Sequence, residues 1–168
     1  DRYASRGLGD VYKRQPWRSF SFDHPLYILY SSGTTGDPKC IVHSAGGTLL
    51  QHVQEQRLHV DLRPGERFFY FTTCGWMMWT WLVSGLATGA QLLLYEGSPA
   101  HPTLRSFIEK LKVLDPHIWG PSPRFLQALE KTAVLEHQDF AANSLRSVLS
   151  TGAPLYPQQF AYVYEYIK

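Results

Sequence analysis

The chain has 168 residues, of which 44% are apolar and 14% aromatic. This composition excludes a disordered segment and is sufficient for one buried core. The formal net charge of +2 arises within the first 15 residues, because the remainder carries 12 basic and 12 acidic side chains. Since these charges form no basic run, we expect no binding of nucleic acid or of an anionic membrane through bulk electrostatics.

The only cysteines of the sequence are Cys40 and Cys74. They are too few for a disulfide framework and lack the paired spacing of a zinc site, so we expect no metal ligands and a reducing, cytoplasmic location. No apolar run approaches the roughly 18 residues of a membrane helix, and the amino terminus has no hydrophobic signal segment.

Strands and helices are predicted to alternate along the chain. Apolar, β-branched and aromatic runs predict strands at 26–30, 67–73, 91–95, 117–120 and 145–149. Helical spacing of apolar residues predicts helices after Ser44, over 78–87, over 104–114, from Ser122 onwards and over 160–167. This alternation is typical of an α/β fold with a mostly parallel sheet and flanking helices. Ligands of such folds bind at the carboxyl ends of the strands.

A loop rich in glycine and hydroxyl side chains, SSGTTGDPK at 31–39, follows the first predicted strand. Glycines let backbone N–H groups approach phosphate oxygens, hydroxyls donate hydrogen bonds, and a lysine adds positive charge. The loop is not a Walker loop, because only two residues separate Gly33 from Gly36 and Cys40 replaces the hydroxyl that would bind magnesium. The alternative is a flexible surface turn with an exposed lysine.

The string YSSGTTGDPK at 30–39 resembles the [YF]-[ST]-S-G-[ST]-T-G-x-P-K loop of the adenylate-forming enzymes, which include acyl-CoA synthetases, adenylation domains of peptide synthetases and luciferases. The segments 39–52, 69–99 and 145–155 are similar to the acetoacetate-activating synthetases of this superfamily in particular. The resemblance extends from about residue 22 to Lys168. It departs at Cys40, where the family usually has glycine, and at Ala153, where glutamate is commoner.

The resemblance implies an ATP-dependent, AMP-forming ligation of acetoacetate to CoA through an acyl-adenylate, with Mg²⁺ bound by a segment outside this sequence. It assigns the ATP phosphates to Ser31, Ser32, Gly33, Thr34, Thr35, Gly36 and Lys39, with catalytic roles for Thr34 and Lys39; the adenine to Gly152, Ala153 and Pro154; and the acyl pocket to Trp76, Met77, Met78 and Thr151. Bulky Met77 and Met78 would limit the depth of the pocket, and Thr151 or Cys74 could donate a hydrogen bond to the ketone. The alternative is that the segment 75–81, GWMMWTW, only forms core.

Residues 1–15 have no helical or strand period, and we expect a non-native leader there, followed by a partial AMP-binding (adenylation) domain over 16–168. The resemblance implies that the family's Thr-Glu segment, its ribose-binding Asp and its small carboxy-terminal domain with the catalytic lysine are absent. We therefore expect negligible ligase activity from these 168 residues alone. The alternatives are an acetate- or propionate-activating synthetase, a non-catalytic nucleotide-binding module and a purely structural fragment; the sequence does not predict an oligomeric state.

Overall fold

A computed structural model describes residues 18–31, 36–135 and 144–168. The chain divides into two compact units, residues 1–48 and residues 49–168. In the first unit an antiparallel hairpin pairs β1 (Pro25–Ser31) with β2 (Lys39–Ser44). The expected leader at 1–15 lies outside the described residues, so it stays a prediction.

The helix predicted after Ser44 is α1 (Ala45–Gln54), and the Ser44 hydroxyl caps it by accepting a hydrogen bond from the Gly47 N–H at 3.3 Å. The sequence prediction missed β2, which lies between the glycine-rich loop and this helix. Ile41 and Val42 favour an extended backbone there, and antiparallel pairing with β1 provides the hydrogen bonds that a lone strand would lack.

A parallel sheet forms the centre of the second unit. Its strands are β3 (Arg67–Tyr70), β4 (Gln91–Leu93), β5 (Ile118–Gly120) and β6 (Ser147–Val148). Its helices are α2 (Met77–Val83), α3 (Leu104–Leu114), α4 (Pro123–Thr132) and α5 (Pro157–Tyr166). The strand order is β4-β3-β5-β6 and every neighbouring pair is parallel, which confirms the predicted fold class.

The sheet of this unit is covered on both faces, as the aromatic composition of the β3 segment predicted. Phe68 and Tyr70 of β3 pack on one face with Trp81 and Leu82. Phe69 points to the opposite face, where the cluster also contains residues of α3, α4 and α5. Successive side chains of a strand point to opposite faces, which separates Phe69 from Phe68 and Tyr70. Tyr70 is the last residue of β3 and so lies at its carboxyl end.

Several predicted elements are longer than the observed ones. The strands predicted at 67–73 and 91–95 end at Tyr70 and Leu93, and the following aromatic residues contribute to packing from irregular backbone: the Phe71 and Tyr95 rings lie 6.4 Å apart. The helix predicted over 78–87 is α2 followed by a 3₁₀ turn at Ser84–Thr88. Periodicity reports which side chains are buried and does not report where the backbone hydrogen bonding stops.

Two arginines hold the amino-terminal edge of this sheet. Arg146 donates from Nε and Nη2 to the two carboxylate oxygens of Glu66, each at 2.7 Å, and the guanidinium holds the pKa of Glu66 below its ordinary value. Arg67 donates from Nη2 to Asp115 Oδ2 at 2.6 Å. The N–H and hydroxyl of Ser144 also donate to the Asp115 carboxylate and lower its pKa. These networks lie opposite the edge where ligands are expected, so their role is structural.

Among the residues that the structure describes, no helix is long and apolar enough to cross a bilayer.

Candidate functional site

The glycine-rich loop is closed by the last residue pair of the β1–β2 hairpin. Ser31 pairs with Lys39 across the two strands, so both residues lie at the tip from which the loop extends. Lys39 and Gly36 are exposed, and a Cβ atom at Gly36 would meet no described atom within 4 Å. Lys39 and Gly36 thus supply a positive charge and a glycine backbone, which are groups that bind the phosphates of a nucleotide. Ser32, Gly33, Thr34 and Thr35 lie outside the described residues.

A cavity of about 470 Å³ opens in the second unit where β3 and β6 end, and we call it the β3–β6 cavity. Its lining consists of Glu55, His59, Val60, Tyr70, Met78, Trp81, Val148, Leu149, Ser150 and Thr151. Met78 and Thr151, which the sequence assigned to one acyl pocket, both line it although they are far apart in the chain. The parallel strands bring them together, since the segments after β3 and β6 leave the sheet at the same edge.

The other predicted pocket residues have different surroundings. Trp76 is half-buried and approaches the predicted adenine segment: a Cβ at Gly152 would lie 3.4 Å from its Cζ2 atom. Gly152 has φ of 95°, a backbone conformation that favours glycine, and Ala153 and Pro154 after it are exposed. Met77 is 44% exposed and does not belong to the lining of the β3–β6 cavity. Within the second unit the structure thus pairs Trp76 with Gly152 and leaves Met77 at the surface.

A wide helical turn carries acidic Glu55 to the cavity. After α1 the chain forms a π-helical turn at Glu55–His59, a feature that often occurs at functional sites. Trp81 Nε1 donates to Glu55 Oε2 and Gln51 Nε2 donates to Glu55 Oε1, both at 2.8 Å. Both carboxylate oxygens therefore already accept hydrogen bonds from the protein.

Tyr70 is one of the lining residues that sequence reasoning missed, because its aromatic neighbours predicted only core. It is 3% exposed, and its ring centroid lies 6.1 Å from those of Trp76 and of Trp81. The hydroxyl has no hydrogen-bond partner among the described residues, and burial raises the pKa of Tyr70 to about 12. The available signal was a single phenol in a run of phenylalanines at the end of a predicted strand.

A second cavity, of about 290 Å³, borders the other face of the sheet and is lined by residues that include Phe107, Trp119 and Phe125. Its lining also includes Pro121 and Ser122, and the resemblance to the adenylate-forming enzymes implies the pantetheine arm of CoA at the segment 119–122. Within the described ranges no three His, Cys, Asp or Glu side chains converge into a group that could hold a metal ion.

Comparison with known proteins decides the family. The model of the AMP-binding enzymes, described as "AMP-binding enzyme", matches residues 5–167. The chain belongs to the AMP-binding enzyme family. The predicted resemblance to the adenylate-forming enzymes is therefore confirmed, and members of this family use ATP.

Acyl-CoA synthetases are among the most similar relatives. The chain is 53% identical over 158 residues to acetoacetyl-coenzyme A synthetase of Rhizobium meliloti (strain 1021), covering 94% of this chain and 24% of the relative. It is 45% identical over 160 residues to malonamoyl-CoA synthetase of Penicillium aethiopicum, covering 85% and 22%. The solved acetoacetyl-CoA synthetase from Streptomyces lividans matches with a TM-score of 0.77 and 41% identity, covering 88% of this chain and 23% of that one. The chain thus spans about a quarter of the length of these relatives.

Proposed function

We propose that this chain is part of an ATP-dependent, AMP-forming ligase that joins acetoacetate to CoA. The observation that carries the proposal is the 53% identity, over 94% of the chain, to a protein named acetoacetyl-coenzyme A synthetase. The phosphate-type loop on its hairpin and the small cavity at the carboxyl end of the sheet agree with this reaction.

The proposed reaction has two steps. A carboxylate oxygen of acetoacetate attacks the α-phosphorus of ATP, the bond to the bridging oxygen breaks, and pyrophosphate leaves with that electron pair. The CoA sulfur then attacks the acyl carbon, its proton passes to solvent, and AMP leaves. The work of the protein is to position the reactants and to stabilise the charge of the leaving pyrophosphate.

In this proposal the hairpin loop holds the β- and γ-phosphates. Lys39 supplies positive charge, and the Thr34 hydroxyl donates a hydrogen bond near the phosphate bond that breaks. The remaining phosphate contacts belong to Ser31, Ser32, Gly33, Thr35 and Gly36. Mg²⁺ would neutralise further phosphate charge when it is bound by another segment of the protein.

The acyl and adenine groups are assigned to the second unit. Met78 and Thr151 form the acyl slot in the β3–β6 cavity, with Trp76 and Met77 beside it, and Gly152, Ala153 and Pro154 contact the adenine. The bulk of Met78 supports a small acid, because a long acyl chain needs depth that this side chain removes.

Acid-dependent ATP–pyrophosphate exchange on the full-length protein tests this function. Acetoacetate, malonamate, acetate and propionate are compared in parallel, and we expect acetoacetate to be preferred. Malonamate is included because of the Penicillium aethiopicum relative. Preference for acetate or propionate would contradict the substrate, and ATP binding without exchange for any acid would indicate a non-catalytic nucleotide-binding module.

The phosphate loop is tested in the same assay with Lys39→Ala. We expect exchange to fall about 100-fold, since one preorganised group that stabilises the leaving charge is removed. Lys131→Ala is the matched control, because Lys131 is an exposed lysine in the last turn of α4. Unchanged exchange in Lys39→Ala would contradict the assignment of this lysine.

We also propose a cytoplasmic location and only small molecules as substrates. Cys40 and Cys74 are exposed free thiols, which supports a reducing compartment. Fractionation of cells that express the full-length protein tests the location.

A further inference from the structure

The Glu55 carboxylate is fixed at the wall of the β3–β6 cavity by neutral donors. Trp81 Nε1 and Gln51 Nε2 each donate to one of its oxygens at 2.8 Å. The next residue, Gln56, is fully buried and donates from Nε2 to the Trp81 carbonyl at 2.6 Å and to the Ser84 hydroxyl at 3.1 Å. The turn that carries Glu55 is therefore bonded to Trp81 of α2 through both side chain and backbone, and the carboxylate has a defined position.

No positive charge compensates this half-buried carboxylate within the part of the chain that the structure describes. No Lys, Arg or His nitrogen there forms an ion pair with Glu55, and the described lining of the cavity contains no lysine or arginine. Neutral N–H donors satisfy the hydrogen bonds of a carboxylate but leave its negative charge in place. Val60, Trp81 and Leu149 provide apolar walls, beside which a charge is screened less than in bulk water. The β3–β6 cavity therefore has one wall of negative potential.

A negative wall separates acids by the group that lies farthest from the nucleotide. In the proposed reaction the reacting carboxylate faces the α-phosphate of ATP, so the other end of the acid occupies the β3–β6 cavity. A methyl ketone at that end carries no charge. A second carboxylate would place two like charges in one cavity, and their repulsion opposes binding without any contact between Glu55 and the acid.

We propose that Glu55 is a specificity-determining residue that excludes acids with a second carboxylate from the acyl site. A 3-oxo acid is then accepted, and the dicarboxylic acid of the same size is rejected. The inference rests on the proposed function and names the class of acid that the same site refuses.

The test compares malonate with acetoacetate in ATP–pyrophosphate exchange by the full-length protein at neutral pH. Malonate has a second carboxylate in place of the methyl ketone, with nearly the same size. Glu55→Gln removes the charge and keeps a carbonyl oxygen that can accept from Trp81 Nε1. We expect this variant to raise the ratio of kcat/KM for malonate to kcat/KM for acetoacetate about tenfold, with the value for acetoacetate changed less than about twofold.

Two further variants separate charge from structure. Glu55→Asp keeps the negative charge, so it should keep the low ratio of the wild type. Glu109→Gln is the matched control, because Glu109 lies on α3, whose buried residues belong to the cluster on the opposite face of the sheet. It should leave the ratio unchanged. A purely structural role of Glu55 would instead lower kcat/KM for both acids by the same factor in Glu55→Gln.

An unchanged ratio in Glu55→Gln, an equal rise in Glu55→Asp, or a wild-type protein that uses malonate as well as acetoacetate would overturn the exclusion of dicarboxylic acids. Strong exchange with acetoacetate in the same experiment would leave the proposed function standing. A wild-type preference for acetate or propionate would overturn the proposed substrate, and the effect of Glu55→Gln on the malonate ratio would still decide the exclusion. No exchange with any acid would overturn both.

Discussion

Ala133 ends α4 in a left-handed backbone conformation, with φ of 47° and ψ of 39°. A Cβ atom in this region approaches the following carbonyl, and glycine avoids that strain. We expect Ala133→Gly to raise the free energy of unfolding by about 0.5–1 kcal/mol in urea titrations of the chain. Ala128→Gly within the same helix is the matched control and should lower it by about 0.5–1 kcal/mol. Destabilisation by both changes would contradict strain at position 133.

The ion pair of Glu66 with Arg146 predicts a pH dependence of stability. Because hydrogen bonding to Arg146 lowers the pKa of Glu66 from its ordinary value of 4.5, the unfolded chain binds this proton more readily than the folded one. The contribution is therefore complete above about pH 5 and is lost as the pH falls through the lowered pKa. We expect Glu66→Gln to reduce the free energy of unfolding by about 1–3 kcal/mol at pH 7, and the difference from wild type to shrink below pH 4.

Glu109→Gln is the control for this pair. Glu109 forms a half-exposed ion pair with Arg105 at 3.0 Å, and its loss should change the free energy of unfolding by less than about 0.5 kcal/mol. An effect of Glu66→Gln that is equally large at pH 3 and at pH 7 would show that packing, not charge, is responsible.

At the scale of elements, the contact between β3 and β5 depends on Gly120. A Cβ atom there would overlap the Tyr70 ring on the neighbouring strand, and the flanking Trp76 and Trp81 rings restrict its displacement. We expect Gly120→Ala to lower the free energy of unfolding by about 1–3 kcal/mol. Gly75→Ala is the control, because a Cβ atom at Gly75 would meet nothing within 4 Å. Equal stability of the two variants in urea titrations would contradict this steric account.

Elements with strong local signals were predicted well. The helix at 104–114 has the predicted bounds, since Thr103 caps it and Phe107, Ile108 and Leu111 supply the buried face. The hairpin strand β2 was missed because its local signal is short, Ile41 and Val42 alone, and its formation depends on pairing with β1. Short parallel strands were overestimated for the same reason: their ends are set by how far the neighbouring strand extends.

At the scale of the whole molecule, these 168 residues correspond to about a quarter of the relatives' length. We predict that the chain assayed alone has negligible ligase activity, because the resemblance assigns a catalytic lysine and other nucleotide contacts to further segments. Acid-dependent pyrophosphate exchange by the 168-residue chain and by the full-length protein, at equal concentration, measures this. Comparable exchange rates would refute the prediction.

The β1–β2 hairpin of the first unit has an exposed apolar face, which is typical of a strand pair that packs within a larger protein. Ile28, Tyr30 and Val42 are 60%, 69% and 57% exposed, and the alternation along paired strands puts them on one face. Exposed apolar strands associate readily, so we expect the chain alone to self-associate in light scattering at concentrations where the full-length protein does not. Equal scattering by the two proteins would contradict this.

The sequence by itself determined the fold class, the family and the chemistry of the phosphate-type loop, because periodicity and a run of consecutive residues are local properties of the chain. The resemblance already assigned Met78 and Thr151 to one pocket. Only the tertiary structure decided that Met77 lies outside the cavity that they line, and that the buried Tyr70 hydroxyl has no hydrogen-bond partner among the described residues. These placements depend on which parallel strands are neighbours and in what register they pair. Contacts between residues distant in sequence decide which strands become neighbours, and a local run of residues does not encode those contacts.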